Sequence, residues 1–120
     1  MIQETTVLEL FAQLSGETVT GDEPRPALCR ALCSQAAEEI AARTPDLPEE
    51  AASRAARWAA ALAYYRLTLA DEAAGPGDIS ADGVTVKAGE RSQKALALVR
   101  EYRRALAAYL GEEGFSFVLA

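Results

Sequence analysis

The chain has no histidine, one methionine, one tryptophan and two cysteines in 120 residues. Without histidine, the commonest general base and the commonest neutral metal ligand are both missing. No Ser–His or Cys–His nucleophile arrangement can form within it. Bases are in deficit too, 12 against 18 acids, for a net charge of −6. Affinity for nucleic acid comes from neutralising phosphates, so an acidic chain is poorly suited to gripping it. No apolar run approaches the roughly 18 residues of a membrane span. The opening Met1-Ile2-Gln3-Glu4-Thr5 lacks the basic start and apolar block of an export signal. Two cysteines in that context imply reduced thiols and a cytoplasmic setting.

Half the residues are apolar and a quarter are charged, the composition of a folded chain. The length suits one domain, here expected over 1–120. Alanine makes up about a fifth of the chain, which favours helix and close helix–helix approach. Val7, Leu10, Phe11 and Leu14 share one helical face, so a first helix is expected over 4–14, stopped by Ser15-Gly16. Residues 15–23 read as a polar connection. Pro24 and Pro26 fit a first helical turn, and a second helix is expected over 24–43. Its stripe is Leu28, Leu32, Ala36 and Ile40, with Cys29, Cys33 and Ala37 beside it. Asp46 is the expected N-cap of a third helix over 48–73, with Glu49 at the capping-box position. Ala51, Ala55, Trp58, Leu62, Tyr65 and Leu69 repeat there at spacings of four and three.

Gly75-Pro76-Gly77 breaks that helix, and the period then changes. Ile79, Ala81, Val84 and Val86 flank Asp82-Gly83, a favoured two-residue turn, so a β-hairpin is expected over 78–87. A fourth helix is expected over 90–110, with Leu96, Val99, Tyr102, Leu106, Tyr109 and Leu110 on its apolar side. Gly111 and Gly114 end it. The following Phe115-Ser116-Phe117-Val118-Leu119 alternates loosely, as an extended segment does. The expected class is all-α: a four-helix bundle-like domain, two long antiparallel helices joined by a hairpin insertion, and an extended tail.

Little in this chain points to chemistry. Cys29 and Cys33 lie on one helical face, but two thiolates without histidine do not close a zinc site, and small semi-buried residues are expected instead. Gly75-Pro76-Gly77 lacks the third glycine and the lysine of a phosphate loop and follows a helix, so it reads as a helix stop. The acid pairs Glu38/Glu39, Asp71/Glu72 and Glu112/Glu113 read as solvated faces, and Glu49/Glu50 suit a helix N-terminus. No catalytic residue, metal or cofactor is expected. Half of the bases are Lys87, Arg91, Lys94, Arg100, Arg103 and Arg104. They read either as a stripe for an acidic neighbour or as a solvated face. Tyr64 and Tyr65 are adjacent and cannot both face one core, which places one of them at an interface.

The layout around Gly-Asp-Ile-Ser-Ala-Asp-Gly-Val-Thr-Val-Lys-Ala-Gly-Glu at 77–90, between alanine-rich helices and ahead of Gly114-Phe115-Ser116-Phe117-Val118, resembles the head–tail connector (head completion adaptor) family of prophage morphogenesis modules. The likeness covers about two-thirds of the chain and includes no catalytic motif. It implies a helical subunit of a ring, typically a dodecamer, between the portal and a head-closure or tail protein. DNA would pass through that ring without sequence-specific binding. The subunit would occupy the bacterial cytoplasm during assembly and the head–tail interface of the virion. Partner-binding residues are then expected at Ile79, Val84, Val86 and Lys87 and at Phe115, Phe117 and Val118, with Arg100, Arg103 and Arg104 at the subunit interface. A cytoplasmic helical regulatory module, built to bind one protein partner, is the alternative reading.

Overall fold

Alanine-rich stretches with proline and glycine at their margins become helices. The computed structural model describes residues 2–74 and 89–110, and the backbone of 79–81 and 84–86. Helices α1 (Glu4–Ser15), α2 (Pro24–Arg43), α3 (Ala52–Ala74) and α4 (Glu90–Ala105) make the fold all-α and bundle-like. Strands β1 (Ile79–Ala81) and β2 (Val84–Val86) pair antiparallel, with Ser80 opposite Thr85. The expected insertion also includes 78, 82, 83 and 87, which lie outside the described residues.

Helices α1 and α2 stop for local reasons. Gly16 takes the left-handed conformation (φ 76°), where its N–H caps the carbonyl of Ala12. The Ser15 hydroxyl donates to the Phe11 carbonyl at 2.7 Å and accepts the Glu17 N–H at 3.1 Å. Thr44 closes α2 by donating its hydroxyl to the Ile40 carbonyl at 2.8 Å. The start of α3 departs from expectation. Pro45 and Asp46 occupy the middle of a turn in which the Leu47 N–H bonds the Thr44 carbonyl. Asp46 is therefore used as a turn residue, not as a cap. A 3-10 turn over Glu49–Ala51 intervenes, entered from Pro48 with no side-chain cap. α4 is also shorter than expected, ending at Ala105 and followed by a 3-10 turn over Ala107–Tyr109.

α3 is the central element. It packs against α1, α2 and α4. Over residues 55–63 only Arg57 is exposed; Ala55, Ala56, Trp58, Ala59, Ala60, Ala61, Leu62 and Ala63 are all buried. A helix buried nearly all round must keep most side chains small so that three neighbours can approach its backbone. Trp58, Leu62 and Leu67 supply its bulk, with Phe11 and Val7 from α1, Ile40 from α2, and Val99 and Leu106 from the α4 end, in one hydrophobic cluster. Tyr64 and Tyr65 are both half-buried against that cluster, so neither stands apart from the core.

Side-chain pairs fix the directions. Arg25 meets Asp71 and Arg66 meets Glu39, so α2 runs antiparallel to α3. Ser92 donates to Glu72 at 3.1 Å, while Tyr102 shares a groove with Arg57, so α4 is antiparallel to α3 as well. Gln3 and Thr6 adjoin Ala52 and Ala56, and Leu10 and Leu14 adjoin Arg57 and Ala60, so α1 runs parallel to α3. The chain order is therefore up-down-up-down.

The buried face of α2 is rotated by about one residue from the expected stripe. Pro26, Cys29, Cys33, Ala36 and Ile40 are buried, while Leu28 is 39% exposed and Leu32 half-buried. Small residues let α2 sit close to the alanine surface of α3, and a leucine stripe would hold the helices apart. The α3 seam holds from Ala51 to Leu62 but then drifts, leaving Leu69 42% exposed. Leu28→Ser is therefore expected to change stability by less than about 0.5 kcal/mol in urea denaturation. Cys33→Ser, which buries a hydroxyl in an apolar site, should cost about 1–3 kcal/mol. The opposite ranking would restore the leucine stripe to the core.

Candidate interaction site

The two cysteines are fully buried and unbonded to each other. Burial pushes the Cys33 thiol up to about 12 and raises that of Cys29. A thiol so held is protonated at neutral pH and is a poor nucleophile or metal ligand. Among the described residues, no group of three or more potential metal ligands exists. Nor is any helix there long and apolar enough to cross a membrane.

Several acids are committed to structure. The Arg25 guanidinium, at the start of α2, binds two carboxylates at once. Its Nε and Nη2 donate to Glu17 at 3.0 and 2.8 Å, and its Nη1 and Nη2 donate to Asp71 at 2.6 and 2.9 Å. The cluster ties the α1–α2 connection to the far end of α3. Arg30 adds to it by donating to the Val19 and Gly21 carbonyls at 3.0 and 2.9 Å. Hydrogen bonds from Arg25 hold Glu17 and Asp71 below their ordinary carboxyl values. Earlier in α3, Arg66 grips Glu39 through both oxygens, at 2.6 and 2.8 Å, and lowers its pKa in the same way. These pairs lie on the rim of the bundle and join elements. They do not converge on a cleft.

The basic residues of α4 are placed unequally. Arg91, Lys94, Arg100 and Arg104 are exposed, whereas Arg103 is half-buried. Arg100 and Arg104, four residues apart, stack along the outer side. Of the expected partner-binding residues, Ile79, Val84 and Val86 lie in the paired strands, whose side chains fall outside the described set. Lys87, Phe115, Phe117 and Val118 lie wholly outside it.

Sequence reasoning passed over one surface. A shallow groove of about 220 Å³ opens between α1, α3 and α4, lined by Leu10, Gln13, Leu14, Arg57, Ala60 and Tyr102. Its lining is chiefly apolar, with the exposed Arg57 at one side. The signal was present in the sequence: Arg57 is the lone charge in the alanine-rich stretch from Ala55 to Tyr65.

Comparison with protein-family models, with curated proteins and with solved structures yields no match.

Two measurements check this account. Native protein should leave Cys29 and Cys33 unlabelled by a thiol reagent at neutral pH, and denatured protein should react at both. The acids have folded pKa values below their unfolded ones, so their contribution is present above the unfolded values, 4.5 for Glu17 and 3.8 for Asp71. It is lost as pH falls through the lower, folded values. Arg25 is 42% exposed, so solvent screening keeps the cluster modest. Arg25→Ala should cost about 1 kcal/mol near neutral pH, and markedly less below the folded carboxyl values.

Proposed function

We propose that this chain is a non-catalytic structural subunit of a (pro)phage head–tail connector ring. In that reading it links the portal to the head-closure or tail protein around the DNA channel. The observation that carries the proposal is the α3–α4 pair. Two packed antiparallel helices are interrupted at one end by the segment with the paired strands, and the second leads into a Gly-aromatic tail. That layout is the one on which the family resemblance rests.

The helical body then acts as a rigid mount. The insertion between α3 and α4, with Ile79, Val84, Val86 and Lys87, reaches one neighbouring protein as a hairpin. The tail, with Phe115, Phe117 and Val118, reaches another. Arg100, Arg103 and Arg104 face an adjacent copy, where the chain's own excess of acids offers counter-charge. Heterologous contacts of this kind close rings. An acidic channel wall would let DNA slide without holding it.

The test is assembly. A monomer of 12.8 kDa should give way to larger species as concentration rises, or when the chain is co-expressed with the portal protein of its source genome. Light scattering reads the first and co-purification with ring-shaped particles in electron micrographs the second. A chain that keeps its monomer mass under both conditions, with no virion genes beside its own, would sink the connector reading.

A further inference from the structure

The groove between α1, α3 and α4 is lined by Leu10, Leu14, Ala60 and Tyr102, with the polar Gln13 among them. Arg57 stands exposed beside it, with no hydrogen-bond or ion-pair partner among the described residues. Arg25 and Arg66 are already engaged with carboxylates. The groove thus offers a cation beside a largely apolar surface, which suits a short segment carrying an acid next to bulky apolar residues. The sequence holds one such segment outside the described residues. Glu112-Glu113-Gly114-Phe115-Ser116-Phe117-Val118 follows directly on the last described residue, Leu110, and Gly111. In an extended strand, residues two apart share a face, so Glu113, Phe115 and Phe117 would line up together.

The geometry points to this groove as the receptor for the 112–118 segment of a neighbouring copy of the chain. Glu113 pairs with Arg57, and Phe115 and Phe117 lie against Leu10 and Leu14. The inference rests on the self-assembling reading above, gives the tail to the next copy of the chain instead of to a different protein, and names the contact by which one copy holds the next. Three observations support it. The charge and apolar order of the segment match those of the groove. Extended, residues 111–118 span about 26 Å, ample to leave one bundle and cross another's trough. Leu110 leaves the last turn in extended geometry (φ −75°, ψ 144°). A groove and a separate complementary segment on the same chain form a head-to-tail contact, the kind a closed ring requires.

Full-length protein with Phe117 replaced by the photoreactive p-benzoylphenylalanine, an aromatic of similar shape, is mixed with unmodified full-length protein and irradiated. Cross-linked dimers are expected, with the attachment mapped by mass spectrometry to the Leu10–Leu14 stretch of the unmodified copy. Arg57→Glu in the unmodified copy should cut the dimer yield about tenfold or more. Glu113→Arg in the photoreactive copy should then restore it, while circular dichroism reports unchanged helix. Cross-links found only within single chains mean that the tail docks on its own bundle and overturn the proposal. So do cross-links mapped outside the groove, or a yield indifferent to Arg57→Glu. Light scattering on the same samples keeps the two readings apart: oligomers that persist without the groove cross-link remove this contact alone, and a monomer removes the assembly itself.

Discussion

The burial of α3 on nearly every side is the constraint from which the rest of the structure follows. A helix flanked by three others has room for few large side chains, and the chain meets that demand with alanine from Ala55 to Ala63. Each buried alanine removes little apolar surface from water, so the cohesive term is concentrated in the few large groups that alternate with the small ones. Trp58, Phe11, Ile40, Leu62 and Leu67 are those groups, and all are fully buried. The same demand explains why α2 buries both cysteines fully and leaves Leu28 exposed and Leu32 only half-buried.

A surface of alanines is smooth, and smooth helices slide. Small side chains offer shallow ridges and grooves, which discriminate weakly between one register and the next. The rim ion pairs supply what the interface lacks. Arg25 with Glu17 and Asp71 sets one end of α2 against α3, and Arg66 with Glu39 sets the other. Each contributes little to stability because solvent screens it. Their geometry, two-pronged at both sites, favours a single alignment. Part of the acidic excess noted in the sequence is thus spent on register.

How much of this was legible beforehand differs by element. The helices α1 and α2 were readable to within a residue, because glycine, proline and threonine mark their ends. The start of α3 was misread because Asp46 carries two local meanings, cap and turn residue, and Pro45 before it decides for the turn. The face of α2 was read in part: Ala36 and Ile40 are buried as expected, but Cys29 and Cys33 take the places given to Leu28 and Leu32. Beside a helix of alanines, the closer-packing cysteine wins over the leucine. The groove was marked in the sequence only by the lone charge of Arg57; its walls come from three helices, and no spacing within one helix reveals them. The ion pairs likewise join residues 27 and 46 positions apart.

The up-down-up-down order has a geometric effect. α3 ends at Ala74 beside the start of α4, whereas Leu110 lies near the other end of α3. The two stretches of chain that leave the described bundle therefore depart from opposite poles, and α3 is the spacer between them. A 23-residue helix is about 34 Å long. Its length cannot be adjusted freely, since one added residue lengthens it by about 1.5 Å and also rotates one pole against the other by about 100°. Changes that preserve the relative aim of the two poles come in steps of about seven residues, two full turns. The bundle is thus a ruler with a phase, and drift in its length is confined to whole periods of the helix.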